Sequence, residues 1–311
     1  NAHLLPGKLR FARNFVPRRN SLCINLPKVS GMKSRIVLNL VLFTLVVGIG
    51  LLLYFKPQSN APSEYRLSTL QASDIQSITI DKPAELNLEK RDHSWFITRP
   101  FVARADTFQV ERLLEILSAT SKQRFPANDL KRFDLDQPQA RLTLGKQAFS
   151  FGALNPLTAE QYVATADNVY LVSPRYGAAA AVPPDNFLNH LLLASNEMPT
   201  GFDLPRYKLA RVNGAWSVSP APAELSQDQL NRFADEWRHA YSSASEPANP
   251  APGAEQIRIM LDNGGSVLLH VLQKRPQLIL LRDDEMIAYH FPGDVAKRLL
   301  DPFAAASKAQ K

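Results

Sequence analysis

The chain has 311 residues, 45% of them hydrophobic, and a formal net charge of +7 from 36 Lys plus Arg and 29 Asp plus Glu. Residues 1–35 contain eight basic and no acidic residues, so the rest of the chain has 36 − 8 = 28 basic against 29 acidic residues, a net charge of −1. Because this larger part has no surplus positive charge for phosphates, we expect no nucleic acid partner, and because the lone cysteine is Cys23, disulfides within it are excluded.

The basic segment, residues 1–35, leaves two interpretations open for its first part. The chain starts at Asn1, whereas the run Met32-Lys33-Ser34-Arg35 is typical of a bacterial start. We favour the interpretation that residues 1–31 are translated upstream sequence or the tail of a fragment, without a fold. The alternative is a mitochondrial targeting segment, which is rich in Arg and free of acidic residues.

Residues 36–55 are predicted to form a transmembrane helix that lies in the lipid bilayer. The stretch reads IVLNLVLFTLVVGIGLLLYF and has no charge. As a helix it would be about 30 Å long, which matches the hydrocarbon thickness of a membrane. A buried core helix would keep a polar stripe, a cleaved signal peptide would have a shorter apolar run, and a lipoprotein anchor would need a cysteine. We therefore expect an uncleaved signal anchor.

The basic segment also predicts the orientation of that helix. Positively charged flanks stay in the cytoplasm, so we expect a single-pass protein of the bacterial inner membrane with a cytoplasmic N-terminus and a periplasmic C-terminal part. Residues 56–63, PQSNAPS among them, are predicted to be a tether, and residues 304–311 a flexible tail.

The part between them shows signs of an internal duplication. We predict an α+β fold of two similar repeats, residues 64–200 and 201–303, each built as hairpin, helix, antiparallel meander and helix. Trp95 and Trp216 occupy matching positions in the first hairpins, 121 residues apart. The second of these hairpins turns at Asn213-Gly214, the strongest short signature of a hairpin.

Capping boxes and turns recur in the two repeats. Each first helix is predicted to begin with a side-chain cap that a Gln follows three residues later, namely Asp106 with Gln109 and Ser226 with Gln229. The meanders would turn at residues 145–146 and 263–265, and the closing helices would cover residues 184–193 and 292–300. Residues 194–204 are predicted to be a linker, and residues 242–254, rich in Pro, Ala and Ser, a solvated loop.

The sequence predicts no catalytic, cofactor-binding or metal-binding residues. No two histidines have the i, i+4 spacing of a helical metal site, and no Gly-x-Ser-x-Gly elbow occurs. The run Asp283-Asp284-Glu285 lies in a turn-like context, where a solvated charge cluster is the ordinary explanation. We therefore expect neither a cofactor nor an enzyme.

One aromatic stretch is a candidate binding surface. Phe149, Phe151, Asn155 and Tyr162 lie around a predicted strand, loop and strand. Aromatic rings on one face of a sheet could bind a glycan or a peptide strand. They could equally form the core contact with the Asp106 helix, which we favour because aromatic side chains dominate protein cores.

A pattern of structural residues in this region resembles the DUF4340 family of bacterial envelope proteins. The pattern is Leu142-Thr143-Leu144-Gly145, Phe151-Gly152, Asn155-Pro156, Tyr162-Val163 and Val169-Tyr170-Leu171-Val172, behind one N-terminal anchor. The resemblance covers about residues 70–200 and transfers no active site. It implies an accessory role, since some members of this uncharacterised family are encoded near ABC-type transporters.

These observations predict a non-enzymatic accessory or scaffold protein, anchored in the membrane, that binds an envelope protein partner. An ABC-type transporter complex is the partner class that the resemblance implies. The alternatives are a glycan- or cell-wall-binding module that uses the aromatic residues and, after it, an envelope hydrolase with dispersed catalytic residues.

Overall fold

The computed structural model describes residues 33–54, 64–220 and 225–306. The chain divides into two compact units, Asn1–Ala61 and Pro62–Lys311. Of the predicted terminal segments, residues 1–31 and the tether at 56–63 lie outside the described residues. The predicted tail is wrong at its start, because residues 304–306 continue a short helix.

The first unit contains helix α1, Lys33–Tyr54. Thr44 is hydrogen-bonded within it, donating to the carbonyl oxygen of Leu40 at 2.7 Å. Across the described residues, no helix has both the length and the apolar character that crossing a membrane requires. The predicted transmembrane helix at residues 36–55 is therefore wrong by this criterion.

The first half of the second unit is built on a nine-stranded antiparallel sheet with the order β5-β4-β3-β2-β8-β9-β10-β11-β7. Strands β1 and β6 form a separate two-stranded sheet. The elements of this half are β1 (Tyr65–Arg66), β2 (Ser77–Lys82), β3 (Leu86–Arg91), β4 (Ser94–Arg99), β5 (Ala103–Arg104), α2 (Thr107–Leu114), β6 (Thr120–Ser121), β7 (Arg124–Pro126), β8 (Ala140–Leu144), β9 (Gln147–Leu154), β10 (Gln161–Thr165), β11 (Asn168–Val172) and α3 (Arg175–Ala180).

The second half is built on an eight-stranded antiparallel sheet with the order β14-β13-β12-β16-β17-β18-β19-β15. Its elements are β12 (Pro199–Asp203), β13 (Lys208–Val212), β14 (Ala215–Ser219), α4 (Gln227–Arg238), β15 (Ala244–Pro247), β16 (Glu255–Leu261), β17 (Ser266–Gln273), β18 (Leu278–Arg282), β19 (Ile287–Phe291), α5 (Gly293–Leu300) and α6 (Pro302–Ala306).

The two large sheets follow the same strand order. Replacing β2, β3 and β4 by β12, β13 and β14, β7 by β15, and β8–β11 by β16–β19 converts one order into the other, except for the added edge strand β5. Most buried apolar side chains of both halves also belong to one continuous core, which includes Phe149, Phe187, Phe202 and Phe233. The sheets are thus two copies of one arrangement that share a hydrophobic interior.

The predicted α+β class with a transmembrane helix is wrong, because the chain is mostly β-sheet. Strands β2 and β12, which lie inside the two sheets, and the short strands β5, β7 and β15 were not predicted. Strand β15 lies within the stretch predicted to be a solvated loop, where it pairs with β19. Strand β12 likewise lies in the predicted linker and pairs with β13 and β16.

The predicted helix starts and turns have mixed outcomes. The capping box at Ser226 is confirmed, with the Gln229 amide donating to its hydroxyl at 3.3 Å and its own amide donating to the Gln229 side chain at 2.8 Å. Asp106 accepts from the Gln109 amide at 3.1 Å, but the reciprocal bond is missing. Turns at residues 145–146 and 263–265 connect strands as predicted.

The closing helix of the second half is confirmed as α5, whereas the predicted helix at residues 184–193 is wrong. Only Pro184–Phe187 forms a 3₁₀ turn there. The residues that follow are extended, because backbone groups of both halves form hydrogen bonds with them. The amide of Asn189 donates to the Arg104 carbonyl oxygen at 3.0 Å, and the amide of Leu192 donates to that of Ala240 at 3.0 Å.

Candidate functional site

The structure does not bring the four candidate surface residues to one face. Phe149 and Phe151 lie on β9 with exposures of 0% and belong to the main core. Phe151 is paired with Val163 across the strands, so Tyr162 next to Val163 points to the opposite side of the sheet. The two phenylalanine rings are therefore core residues and cannot contact a ligand.

Tyr162 and Asn155 do come together, in a smaller cluster on that opposite side. The ring of Tyr162 packs on Phe133 with centroids 4.8 Å apart. Its hydroxyl accepts a hydrogen bond from the side-chain NH₂ group of Asn155 at 3.1 Å. The side-chain oxygen of Asn155 accepts a second one from the backbone amide of Leu157 at 2.9 Å. These contacts fold the loop between β9 and β10 back on itself, which is a structural role for both side chains.

A buried charged cluster joins the two halves of the protein and begins with Arg104 on β5. This side chain is 10% exposed and is paired with Glu285 of the second half, which is 8% exposed. The Arg104 guanidinium also donates to the hydroxyl of Tyr289 at 3.1 Å and to the carbonyl oxygens of Leu191 and Leu192 at 2.9 and 3.1 Å. The Tyr289 hydroxyl in turn donates to Glu285 at 2.6 Å.

Arg282, at the end of β18, is the second cation of the cluster. Its guanidinium donates to both carboxylate oxygens of Glu197, at 2.8 and 2.5 Å, and to both of Asp284, at 2.8 and 2.9 Å. A further bond of 2.7 Å reaches the carbonyl oxygen of Leu192, which Arg104 also contacts. Two guanidinium groups therefore face three carboxylates across the segment that connects the halves.

The ionisation of these groups follows from their mutual contacts. Burial disfavours the charged guanidinium of Arg282, but hydrogen bonds with Glu197 and Asp284 outweigh burial, so its pKa is raised. Burial alone would raise the pKa of Glu197, but hydrogen bonding to Arg282 reverses the shift, and the pKa of Glu197 is lowered. Burial followed by the charge of Glu285 raises the pKa of Tyr289. Arg282 and Glu197 are thus both held in their charged forms beside a neutral tyrosine.

A Ser–His contact lies at the other side of the connecting segment. The Nδ1 atom of His190 is 3.1 Å from the hydroxyl of Ser242 and 3.4 Å from that of Ser245. The ring of His190 stacks on Tyr241 with centroids 5.4 Å apart. Ser242 has an exposure of 0%, so its hydroxyl cannot reach a substrate. The contact closes the junction rather than forming an accessible nucleophile.

A groove of about 360 Å³ opens at the surface directly over the charged cluster. We call it the junction groove. Its lining comes from both halves and consists of Phe101, Val102, Pro247, Ala248, Asn249, Asp284, Glu285 and Met286. Val102 is 57% and Met286 38% exposed, and the side chain of Asp284 is 58% exposed. The groove therefore offers apolar side chains beside a carboxylate, and no cation is among the described residues that line it.

Within the described residues, no group of three or more His, Cys, Asp or Glu side chains is arranged to hold a metal ion. The predicted solvated cluster Asp283-Asp284-Glu285 needs a correction for Glu285, which is buried against Arg104. Sequence reasoning missed Arg104 because its partner is 181 residues away. An arginine at the end of a strand directly before an acidic run was the available indication for Arg282.

The family described as "Domain of unknown function (DUF4340)" matches residues 95–251. The match begins in β4 and ends after β15, so it includes parts of both halves, whereas the resemblance seen in the sequence was placed at residues 70–200. No curated protein and no solved structure matches the chain.

Proposed function

The chain belongs to the DUF4340 family, and from that premise we propose that it is a non-enzymatic accessory protein of the bacterial cell envelope that binds another envelope protein. The observation that carries this proposal is the junction groove. Both halves contribute to its lining, and such boundaries between packed units are preferred binding places. A subunit of an ABC-type transporter complex is the partner class to examine first, as the family resemblance implies.

The chemistry of the groove indicates what kind of segment it would take. Val102, Met286 and Phe101 offer an apolar surface, and Asp284 stands exposed at the same place. The cluster below has one more carboxylate than it has guanidinium groups. The complementary occupant is an apolar side chain of a partner protein with a Lys or Arg next to it.

The buried state of the candidate residues supports a binding role over the alternatives. A glycan-binding module would need the rings of Phe149 and Phe151, which are inside the core. A hydrolase built on His190 would need access to Ser242, which is fully buried. The residues that a glycan-binding module or such a hydrolase would use are therefore not accessible to a ligand.

A photo-crosslinking amino acid at position 102 in the full-length protein tests the binding proposal in cells. Position 212 is the matched control, because Val212 is 56% exposed and lies outside the groove. We expect position 102 to capture an envelope protein through a peptide in which an apolar residue adjoins a Lys or Arg. Equal capture at the two positions, or capture of no envelope protein at position 102, would overturn the proposal.

The partner found in this way then allows a quantitative test. Val102→Asp should weaken its binding about tenfold or more, as is usual when a central contact worth about 1.4 kcal/mol is lost. Val212→Asp should leave the affinity unchanged. An unchanged affinity of the Val102→Asp variant would contradict binding in the junction groove.

The periplasmic location is part of the same proposal and has its own test. A reporter enzyme that works only outside the cytosol, fused after Lys311, should be active. The eight basic residues before residue 36, with no acidic residue among them, support this location, because such segments stay in the cytoplasm. If that reporter is inactive, and a reporter that works only in the cytosol is active at the same position, the periplasmic location is contradicted.

A further inference from the structure

A second and larger groove, of about 1180 Å³, lies at one end of the eight-stranded sheet. Three parts of the second half form it, namely the turn between β12 and β13, the turn between β17 and β18, and the helices α5 and α6. We call it the basic groove. It is lined by Pro205, Arg206, Lys274, Arg275, Pro276, Gly293, Ala296, Lys297, Leu300, Asp301 and Ala304.

The lining concentrates positive charge that the described residues do not neutralise. Lys274 is paired with Glu255, and Asp301 accepts a hydrogen bond from the Phe303 amide at 2.9 Å. The other three cationic side chains, those of Arg206, Arg275 and Lys297, have neither a hydrogen bond nor an ion pair with any described residue. With Lys274 neutralised, three cations face one carboxylate, which leaves two positive charges in excess.

This excess is not a consequence of a generally basic surface. The chain after residue 35 has 28 basic and 29 acidic residues. If these were distributed at random, the lining of the groove would contain about as many acidic as basic side chains. Like charges brought together from separate turns and a helix repel one another, and an anion bound among them offsets that repulsion. The arrangement is therefore typical of a site whose counter-charge is supplied by a ligand.

The rest of the lining is apolar. Pro205, Pro276, Ala296 and Leu300 present hydrocarbon surface between the cations. Ala296 itself is 5% exposed and belongs to the core, so this surface is the outer side of a packed layer and not a mobile loop. An inorganic anion would leave these groups in contact with water, whereas a ligand with an aliphatic part would cover them.

We propose that the basic groove binds a phosphate-bearing amphiphile such as an anionic phospholipid. The cations Arg206, Arg275 and Lys297 hold the phosphate group, and the apolar residues contact the aliphatic chain. Arginine is well suited to this task, because its guanidinium can donate two hydrogen bonds to phosphate at once. This site is separate from the junction groove and does not depend on the function proposed there.

The test is a calorimetric titration of the full-length protein with dihexanoyl phosphatidylglycerol below its micelle concentration. We expect saturable binding. Dihexanoyl phosphatidylcholine, which has the same chains and a zwitterionic headgroup, should bind at least about tenfold more weakly, the effect of losing about 1.4 kcal/mol. Glycerol 3-phosphate and inorganic phosphate separate the headgroup from the lipid. If either binds as tightly as the lipid, the site is one for free phosphate and the proposal fails.

Two triple variants show whether the basic groove is the place of binding. Arg206→Gln, Arg275→Gln and Lys297→Gln together should weaken lipid binding at least about tenfold. The matched control changes Lys122, Lys131 and Lys146 to Gln, which removes the same charge from exposed positions of the first half without an ion pair. An equal loss in both variants, or no loss in the first, would overturn the proposal.

Discussion

At the residue scale, the main feature is the pair of buried arginines between the halves. Arg104 and Arg282 are 9% and 2% exposed, and charged side chains are seldom buried so deeply without partners. Here carboxylates and the carbonyl oxygens of Leu191 and Leu192 replace water around both guanidinium groups, except at Nη1 of Arg104, which has no hydrogen-bond partner among the described residues. Such a network adds little net stability, but it penalises every arrangement in which one partner is misplaced. It therefore specifies how the halves fit together.

This role predicts a particular pattern of unfolding free energies. Arg104→Met should destabilise the protein by about 3–5 kcal/mol, because it leaves the carboxylate of Glu285 buried without its cation. Adding Glu285→Leu should recover most of that loss, since an apolar pair of similar volume no longer buries a charge. Urea denaturation at neutral pH measures both values. The network would have no such role if the double variant were as unstable as the single one.

An exposed ion pair provides the control for this comparison. Arg99 and Glu85 are joined at 3.1 Å, and their side chains are 67% and 55% exposed. Because water and salt screen such a pair, Arg99→Gln should change the unfolding free energy by less than about 1 kcal/mol. A larger effect there would show that loss of positive charge in general, and not burial, determines the response.

At the element scale, the strands that the sequence predicts are those with local turn chemistry. Gly145 has φ = 58° and Gly214 has φ = 83°, and each lies in a two-residue connection between neighbouring strands. Strand β12 was missed because Pro199, Gly201 and Asp203 are poor strand formers. Its strand conformation is imposed by pairing with β16, nearly 60 residues further along the chain. Local residues thus predict hairpins, whereas distant pairing determines the interior of each sheet.

Gly152 in β9 is a position where the backbone comes very close to a neighbouring segment. A Cβ atom there would collide with the backbone oxygen of Phe133 and come within 2.9 Å of the Leu135 side chain. Gly152→Ala should therefore destabilise the protein by about 1–3 kcal/mol, because a backbone oxygen cannot move aside as a side chain can. Thermal unfolding measures the effect.

Ser150→Ala is the control for that substitution, since Ser150 lies in the same strand and is only partly buried. We expect it to change the stability by no more than about 0.5 kcal/mol. If the two variants were equally stable, the strand would have room to shift and the contact with Phe133 would not restrict it.

At the scale of the whole second unit, the two sheets are related by their strand order but are not independent bodies. Leu188, Leu192 and Leu193 of the connecting segment are each at most 1% exposed, and they share one core with both sheets. The candidate site depends on the same union, because Val102 and Met286 line one groove from different halves. Sequence reasoning found the duplication but not the groove, since no local pattern encodes contacts between residues this far apart.

A shared core predicts that both halves unfold in one transition. Trp95 reports on the first half, and Trp216 and Trp237 report on the second. One variant keeps only Trp95, and a second keeps only Trp216 and Trp237. For each variant, we expect the fluorescence midpoint in urea to equal the midpoint that circular dichroism gives for the same variant. Coincident probes are the mark of an all-or-none transition. Separate midpoints would mean that each sheet is stable alone, and that the junction groove can open without unfolding either half. In that case Arg104→Met should separate the two midpoints further, because it removes an ion pair between the halves.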